Sequence, residues 1–437
     1  MQIEYFKRYF GYSFWVTLET VLSMGVSRLV IFPIAAYILG KEQFGLFLFA
    51  LGIVMMIGKA PSGGLETAVM RHFSELNGQA RDALISTGIR LCKIMMWVIV
   101  LVGIIVLGIV KYFRQTNTQI ILCLIPLLIF LYSWNLFELQ IVRYRVERKF
   151  ALRAGWYGIQ GLAQLAVIPA AYWGGAVGMA WGYLFGFMIT QVMLSWRHGT
   201  LFRKLVYDTS MAKLLMQIWF HLTIASVIIF SSRYIYTIIL GIFNSYSAVS
   251  IFFGASNVIY LAAAPLGVIG SLLLSMLAGY ASLASFGKRQ KYTVLAAAAS
   301  ISIMAILIVF FAGPFILSIQ FPAFSDESAR VLRWLIPIIP WCVAESFSRP
   351  FIVKFGPIKF VPILNLIALI GHLLPAIILI PMLGMNGAVV SYNIGCVLSG
   401  ISCLGALVWT FKHSNSSKVN VEMIDFAEDN IGQTNLS

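Results

Sequence analysis

Apolar runs of about 20 residues, long enough to carry a helix across the ~30 Å hydrocarbon core of a bilayer, recur from one end of this 437-residue chain to the other. Twelve lie between charged or Gly/Pro-rich breaks, near residues 12–39, 44–70, 85–110, 119–142, 154–173, 175–196, 214–240, 248–280, 293–318, 330–352, 361–380 and 385–411. Few folds are open to such a chain. Hydrocarbon offers no water to backbone N–H and C=O groups, so each run must satisfy its own as a helix. Composition agrees, because 60% hydrophobic and only 11% charged residues leave too little polar surface to cover a soluble globule of this size. The expected fold is an all-α polytopic membrane protein. Lys7 and Arg8 precede a first run that continues past Ala36 without a small-residue cleavage pattern, so that run is expected to be retained.

Basic residues set the orientation. With the N-terminus in the cytoplasm, 21 of the 31 Lys and Arg fall in cytoplasmic segments, five of them between Arg143 and Arg153, against Lys41, Lys111 and Arg114 on the other face. That asymmetry satisfies the positive-inside rule. The net charge of +15 is then mostly topological, and its expected contact is anionic lipid headgroups rather than nucleic acid. The polar segment 412–437, with Glu422, Asp425, Glu428 and Asp429, is expected to be a disordered cytoplasmic tail.

The chain also repeats itself. Pro169 to Val177 reads P-A-A-Y-W-G-G-A-V and Pro381 to Val389 reads P-M-L-G-M-N-G-A-V, an offset of 212 residues. Arg28 precedes the Ala60-Pro61 step much as Arg233 precedes Ala264-Pro265. Two pseudo-symmetric six-helix bundles, 1–200 and 201–411, follow from this, and duplicated halves are a mark of transporters, whose sites form where the halves meet. Near the end of each half, small residues recur every fourth position: Gly174, Gly178, Gly182 and Gly186, then Gly387, Ser391, Gly395, Ser399 and Cys403. Such stripes let helices approach closely and belong to the scaffold.

Charges inside the membrane point to function, since a cation at mid-depth costs about 2.5–3.5 kcal/mol even on the lenient insertion scale and must face a partner or water. Arg90, Lys93, Arg330 and Arg333 lie close enough to span ends to snorkel outward. Arg28, Lys59 and Arg233 do not, and are the candidate substrate-binding residues. Lys59, Gly63 and Glu66 share one helical face, with Pro61 and the Gly63-Gly64 pair expected to kink the second span; the bland alternative is a packing ion pair between Lys59 and Glu66. Glu66 is the candidate ion-coupling carboxylate. Glu19, Glu138 and Glu345 fall near expected membrane boundaries, where solvation would account for them, and His72 and His372 are expected to be packing residues. No Walker A loop, H-E-x-x-H or nucleophile elbow occurs, and the five cysteines lack ligand spacing. The chain is therefore not expected to be an enzyme or to hold a metal or cofactor.

Arg28 to Leu46 (R-L-V-I-F-P-I-A-A-Y-I-L-G-K-E-Q-F-G-L), Gly64 to Ser74 (G-L-E-T-A-V-M-R-H-F-S) and the Gly-Ala-Val starts of the sixth and twelfth runs resemble the polysaccharide-transporter and O-antigen flippase branch of the multidrug/oligosaccharidyl-lipid/polysaccharide exporter superfamily. The resemblance implies a V-shaped pair of six-helix bundles around a cationic cavity in a bacterial inner membrane. It also implies that the cavity moves an undecaprenyl-pyrophosphate-linked oligosaccharide repeat unit of O-antigen, capsule or exopolysaccharide between leaflets, driven by an ion gradient. A polysaccharide polymerase and a chain-length regulator would be the partners. The fixed cations suit a pyrophosphate. They suit a cationic drug poorly, which weighs against a multidrug exporter of the same superfamily, and the short external loops weigh against a membrane polymerase or ligase.

Overall fold

A computed structural model describes residues 14–413 except 16, 20, 74, 75, 77, 115–117, 148, 199–206, 278–287, 358 and 359. The expected tail, from residue 414 onward, lies outside the described residues, as do Lys7, Arg8, Arg148, Arg203, Lys204 and Lys359. Fourteen helices longer than a single turn and no strands are found among the described residues. They are α1 (Val21–Ile31, π-wound), α2 (Phe32–Met56), α3 (Ala60–Phe73), α4 (Gln79–Arg114), α5 (Thr118–Val146), α6 (Phe150–Gln164), α7 (Val167–Arg197), α8 (Thr209–Phe243), α9 (Tyr246–Leu277), α10 (Lys288–Gln320), α11 (Ser325–Leu335), α12 (Ile339–Phe355), α13 (Phe360–Leu383) and α14 (Met385–His413).

Among the described residues ten helical stretches are long and apolar enough to cross a membrane, and two of these contain a reversal. Gly40 in α2 has φ 69° and Gly175 in α7 has φ 60°, a backbone region that only glycine enters without strain. Phe32 and Phe47 lie 6.3 Å apart across Gly40, whereas 15 residues of straight helix would separate them by about 22 Å. Across Gly175, the Cα face of Gly178 rests on Ala170, Gly182 on Val167 and Gly186 on Gln164. With each of these two stretches counted as a pair, the described residues hold twelve spans, in two pseudo-symmetric six-helix bundles.

The repeat is sharper than the offset of 212 suggests, and three residues different in register. The matching turn in the second half is Gly384, with φ 58°, and beyond it Gly387 rests on Leu379 and Gly395 on His372. Gly175-x-x-Gly178-x-x-x-Gly182-Tyr183-x-x-Gly186 therefore aligns with Gly384-x-x-Gly387-x-x-x-Ser391-Tyr392-x-x-Gly395 at an offset of 209. The Gly-Ala-Val triplets mislead because Gly175 is the turn itself while Gly387 is the first packing contact after it. Backbones touch at these small residues, which drives association where lipid removes any hydrophobic gain.

The second span departs from expectation. It breaks at Ile57–Lys59, where Gly58 N donates to Met55 O and Ala60 N to Ile57 O in a tightened turn, and not at Pro61 or Gly63. Pro61 sits in the first turn of α3, where its missing N–H costs nothing. Gly63 and Gly64 instead give close approach to Ser226, Trp219 and Thr223 of α8. The tenth span is assembled from α11 and α12 joined by a 3-10 turn at Ile336–Ile338. The halves meet along α2 and α3 against α8 and α9. At the end bearing the Gly40, Gly175 and Gly384 turns, Gly45 packs on the Tyr246 backbone, Ser250 Oγ donates to Lys41 O, and Lys41 Nζ pairs with Glu327 at 3.1 Å.

Candidate substrate pathway between the halves

Arg28 lies in the π-wound α1, a winding that often marks functional sites. Its Nη1 donates to Asn257 Oδ1 across the interface at 3.0 Å, and Asn257 Nδ2 donates back to Arg28 O and to Gln320 Oε1, each at 3.4 Å. The guanidinium sits over the Tyr260 ring at 4.9 Å and near Phe253 at 6.0 Å. Neutral amides and rings hold this cation, and among the described residues no carboxylate pairs with it.

Lys59 is placed by the break in the second span. Asn135 of α5 fixes that break, donating Nδ2 to Gly58 O at 2.7 Å while its Oδ1 accepts from Ser62. The Lys59 ammonium stands 3.4 Å from Glu138, 3.9 Å from Glu66 and 4.8 Å above the Trp134 ring. The ion pair with Glu66 forms, yet the stronger partner is Glu138, and this corrects the boundary reading of that residue. Glu138 is buried, and its carboxylate accepts from Tyr157 Oη at 3.0 Å and Trp134 Nε1 at 3.2 Å. Glu66 also meets Arg145 at 3.5 Å. Glu19 pairs with Arg153 at 3.2 Å, and Arg153, expected in a solvated loop, is only 5% exposed. Three carboxylates and three cations thus form one neutral network inside the first half.

Arg233 on α8 is exposed, with Phe230 beneath it at 5.9 Å and no carboxylate partner among the described residues. Trp134 and Phe230 touch across the interface, centroids 6.3 Å apart. Lys59 and Arg233, one from each half, therefore cap two rings in contact. Tyr234 lies within the field of both Arg28 and Arg233. The three cations chosen from sequence do not touch one another; Lys59 and Arg233 share the Trp134–Phe230 pair, while Arg28 sits on the separate rings of Tyr260 and Phe253.

Sequence reading missed a second repeat that could have located Glu138. Trp134-x-x-x-Glu138 recurs as Trp341-x-x-x-Glu345 at an offset of 207. Glu345 is likewise partnered, by Arg349 at 2.7 Å and by Ser399 Oγ at 2.9 Å, so solvation at a boundary does not account for it either. Outside the membrane, Asp208 caps α8. Its Oδ1 accepts from Ser210 and from Met211 N at 3.2 Å, bonds that hold this exposed carboxyl below the ordinary aspartate range.

The sequence matches no protein-family model and no curated protein. Solved structures share its fold. A lipid II flippase MurJ in an inward closed conformation superposes with a TM-score of 0.74 at 14% identity, over 91% of this chain and 87% of that one. An outward-facing multidrug resistance MATE family transporter of the MOP superfamily gives 0.66 at 14%, over 94% and 96%. A MOP superfamily transporter from Pyrococcus furiosus, described as having a binding pocket of reverse polarity, gives 0.66 at 13%, over 93% and 96%. The chain has the fold of membrane transporters of this superfamily.

Proposed function

We propose that this protein is a flippase for a lipid-linked oligosaccharide, an undecaprenyl-pyrophosphate-linked repeat unit of O-antigen, capsule or exopolysaccharide. It would work by alternating access in a bacterial inner membrane, with both termini cytoplasmic. Segments 1–200 and 201–411 are the moving halves, and Arg28, Lys59 and Arg233 meet the pyrophosphate. The observation that carries this reading is the set of cations from both halves that stand over aromatic rings, Arg28 on Tyr260 and the pair Lys59 and Arg233 on Trp134 and Phe230. Fixed cations stabilise phosphate oxygens, and ring faces suit sugars. Arg28 in particular is held by neutral groups that an anion can displace. Glu66, between Lys59 and Arg145, is the first-half carboxylate proposed to exchange with a coupling ion. A polymerase and a chain-length regulator would act on the delivered glycan. A multidrug exporter is the second reading, favoured by Glu138 and Glu66 beside the pathway.

The test is lipid analysis in a deletion strain complemented with wild-type protein or with an Arg28→Ala, Lys59→Ala, Arg233→Ala variant that inserts at normal levels. The variant is expected to accumulate a single lipid-linked repeat unit on the cytoplasmic leaflet. Normal surface polysaccharide would sink the assignment, and accumulation on the external leaflet would indicate a polymerase. Orientation is checked separately: cysteines at Glu42 and Asn244 should react with an impermeant thiol reagent from outside, and those at Lys149 and Arg289 should not.

A further inference from the structure

Each half buries a polar knot where its fifth and sixth spans meet its first. In the first half the knot is Ser27 Oγ donating to Gln164 Oε1, with Tyr183 beside them. In the second half, His372 of α13 occupies the matching place. Its Nδ1 lies 2.7 Å from Tyr236 Oη on α8, and Tyr392, the repeat mate of Tyr183, packs against both rings. The mates Gly186 and Gly395 make room in the same way, since a Cβ at Gly186 would meet Gln164 and one at Gly395 would meet the His372 ring. The scaffold is the same and the chemistry differs: an amide–hydroxyl pair does not titrate near neutrality, whereas imidazole does.

The second knot is wired to the interface. Tyr392 Oη donates to Tyr260 Oη at 3.3 Å, and the Tyr260 ring carries the Arg28 guanidinium at 4.9 Å. The groups around His372 are Tyr236 on α8, Tyr392 on α14 and Tyr260 of α9 behind it, with Cys396 of α14 beside the two nearer tyrosines. Glu345 of α12 is the carboxylate whose field reaches the ring. No carboxylate contacts it among the described residues, and His372 is 8% exposed. A cation formed in such a place is costly until water or a partner reaches it. Charging the ring therefore favours an arrangement in which α13 parts from α8 and α14, which shifts Tyr392 and Tyr260 and so the platform under Arg28.

We propose that His372 is a proton-binding site in the second half, linked to the anion site at Arg28 through Tyr236, Tyr392 and Tyr260. This rests on the flippase reading and adds to Glu66 a titrating group in the half where neutral packing was expected. By linkage, a ligand on Arg28 and a proton on His372 must affect each other's binding equally.

The experiment uses the full chain in liposomes with nitroxide labels at Lys41→Cys and Glu327→Cys. This pair spans the halves at the turn end, and replacing it removes its own titration. The interlabel distance should change in one transition as the pH is lowered from about 8 to about 4, a range that extends below ordinary imidazole titration because the cation is costly to form in its buried place. His372→Gln, which keeps a hydrogen bond to Tyr236, should hold the high-pH distance throughout. An undiminished transition in His372→Gln, or none in the wild type, overturns the proposal. If His372→Gln does not fold, Tyr236→Phe decides, because removing the hydroxyl should move the midpoint and an unmoved midpoint counts against it. Inorganic pyrophosphate should shift the wild-type midpoint. A His372-dependent transition indifferent to pyrophosphate keeps the proton site and removes the pyrophosphate reading. Pyrophosphate binding without a His372-dependent transition does the reverse.

Discussion

Arg28 and Arg233 hold nearly equivalent places in the two halves, yet Arg28 is clasped by Asn257 across the interface while Arg233 stands exposed over a single ring. The residues that would clasp Arg233, at the offset of 204 that relates Pro61 to Pro265, are Ile53 and Met56 in place of Asn257 and Tyr260. Gly175, Gly178 and Gly186 recur as Gly384, Gly387 and Gly395, but the polar partners do not recur. Backbone approach has one solution for a given hairpin, whereas side-chain partners are free to differ, so one frame carries a clasp in one half and an open cation in the other.

The scaffold should break first and equally in both halves. A Cβ at Gly178 would collide with the carbonyl of Ala170, and one at Gly387 with that of Leu379. Gly178→Ala and Gly387→Ala should each cost about 1–3 kcal/mol or more through overpacking, read as loss of monodisperse protein on size exclusion. Damage confined to one half would mean the hairpins are not equivalent.

The buried acids should separate the halves most clearly. Glu138→Ala leaves the half-buried Lys59 with only the more distant Glu66, a poorly compensated charge expected to cost about 3 kcal/mol. Glu345→Ala frees Arg349, whose side chain is 30% exposed and can hydrate, so about 1 kcal/mol is expected. Thermal unfolding in detergent measures both, and equal shifts would erase the distinction.

Arginine chemistry sharpens it further. Arg28→Lys loses the donor fork that reaches Asn257 and should reduce flipping more than Arg233→Lys, which keeps the only property the exposed site uses, its charge. Alanine at either position should abolish activity. Surface polysaccharide quantified at matched membrane levels decides this, and a reversed order of the two lysine variants would make Arg233 the principal ligand.

The smallest effect lies at the entry to the second half. Because hydrogen bonds from Ser210 and Met211 depress the Asp208 carboxyl in the folded chain, its contribution is present above the ordinary aspartate pKa and lost as pH falls through the depressed value. Asp208→Ala should loosen the start of α8, seen as faster amide exchange there at neutral pH, and the difference from wild type should shrink in acid.

Sequence alone determined that this chain is a twelve-span helical membrane protein built from two copies of one unit, because hydrocarbon admits no other backbone solution for such runs and because turn glycines leave a periodic trace. It also marked Arg28, Lys59 and Arg233 as candidates, since a cation at mid-depth needs a partner or water. Tertiary structure alone decided what each of them meets. Glu138 counts as a boundary acid until α5 is laid against the break at Lys59, Arg153 counts as a loop cation until it meets Glu19, and no sequence pattern pairs His372 with Tyr236, 136 residues away. These pairings are contacts between distant helices, set by the rotation and crossing of each span, and a hydropathy pattern fixes the length of a span without fixing the face it turns toward its neighbours.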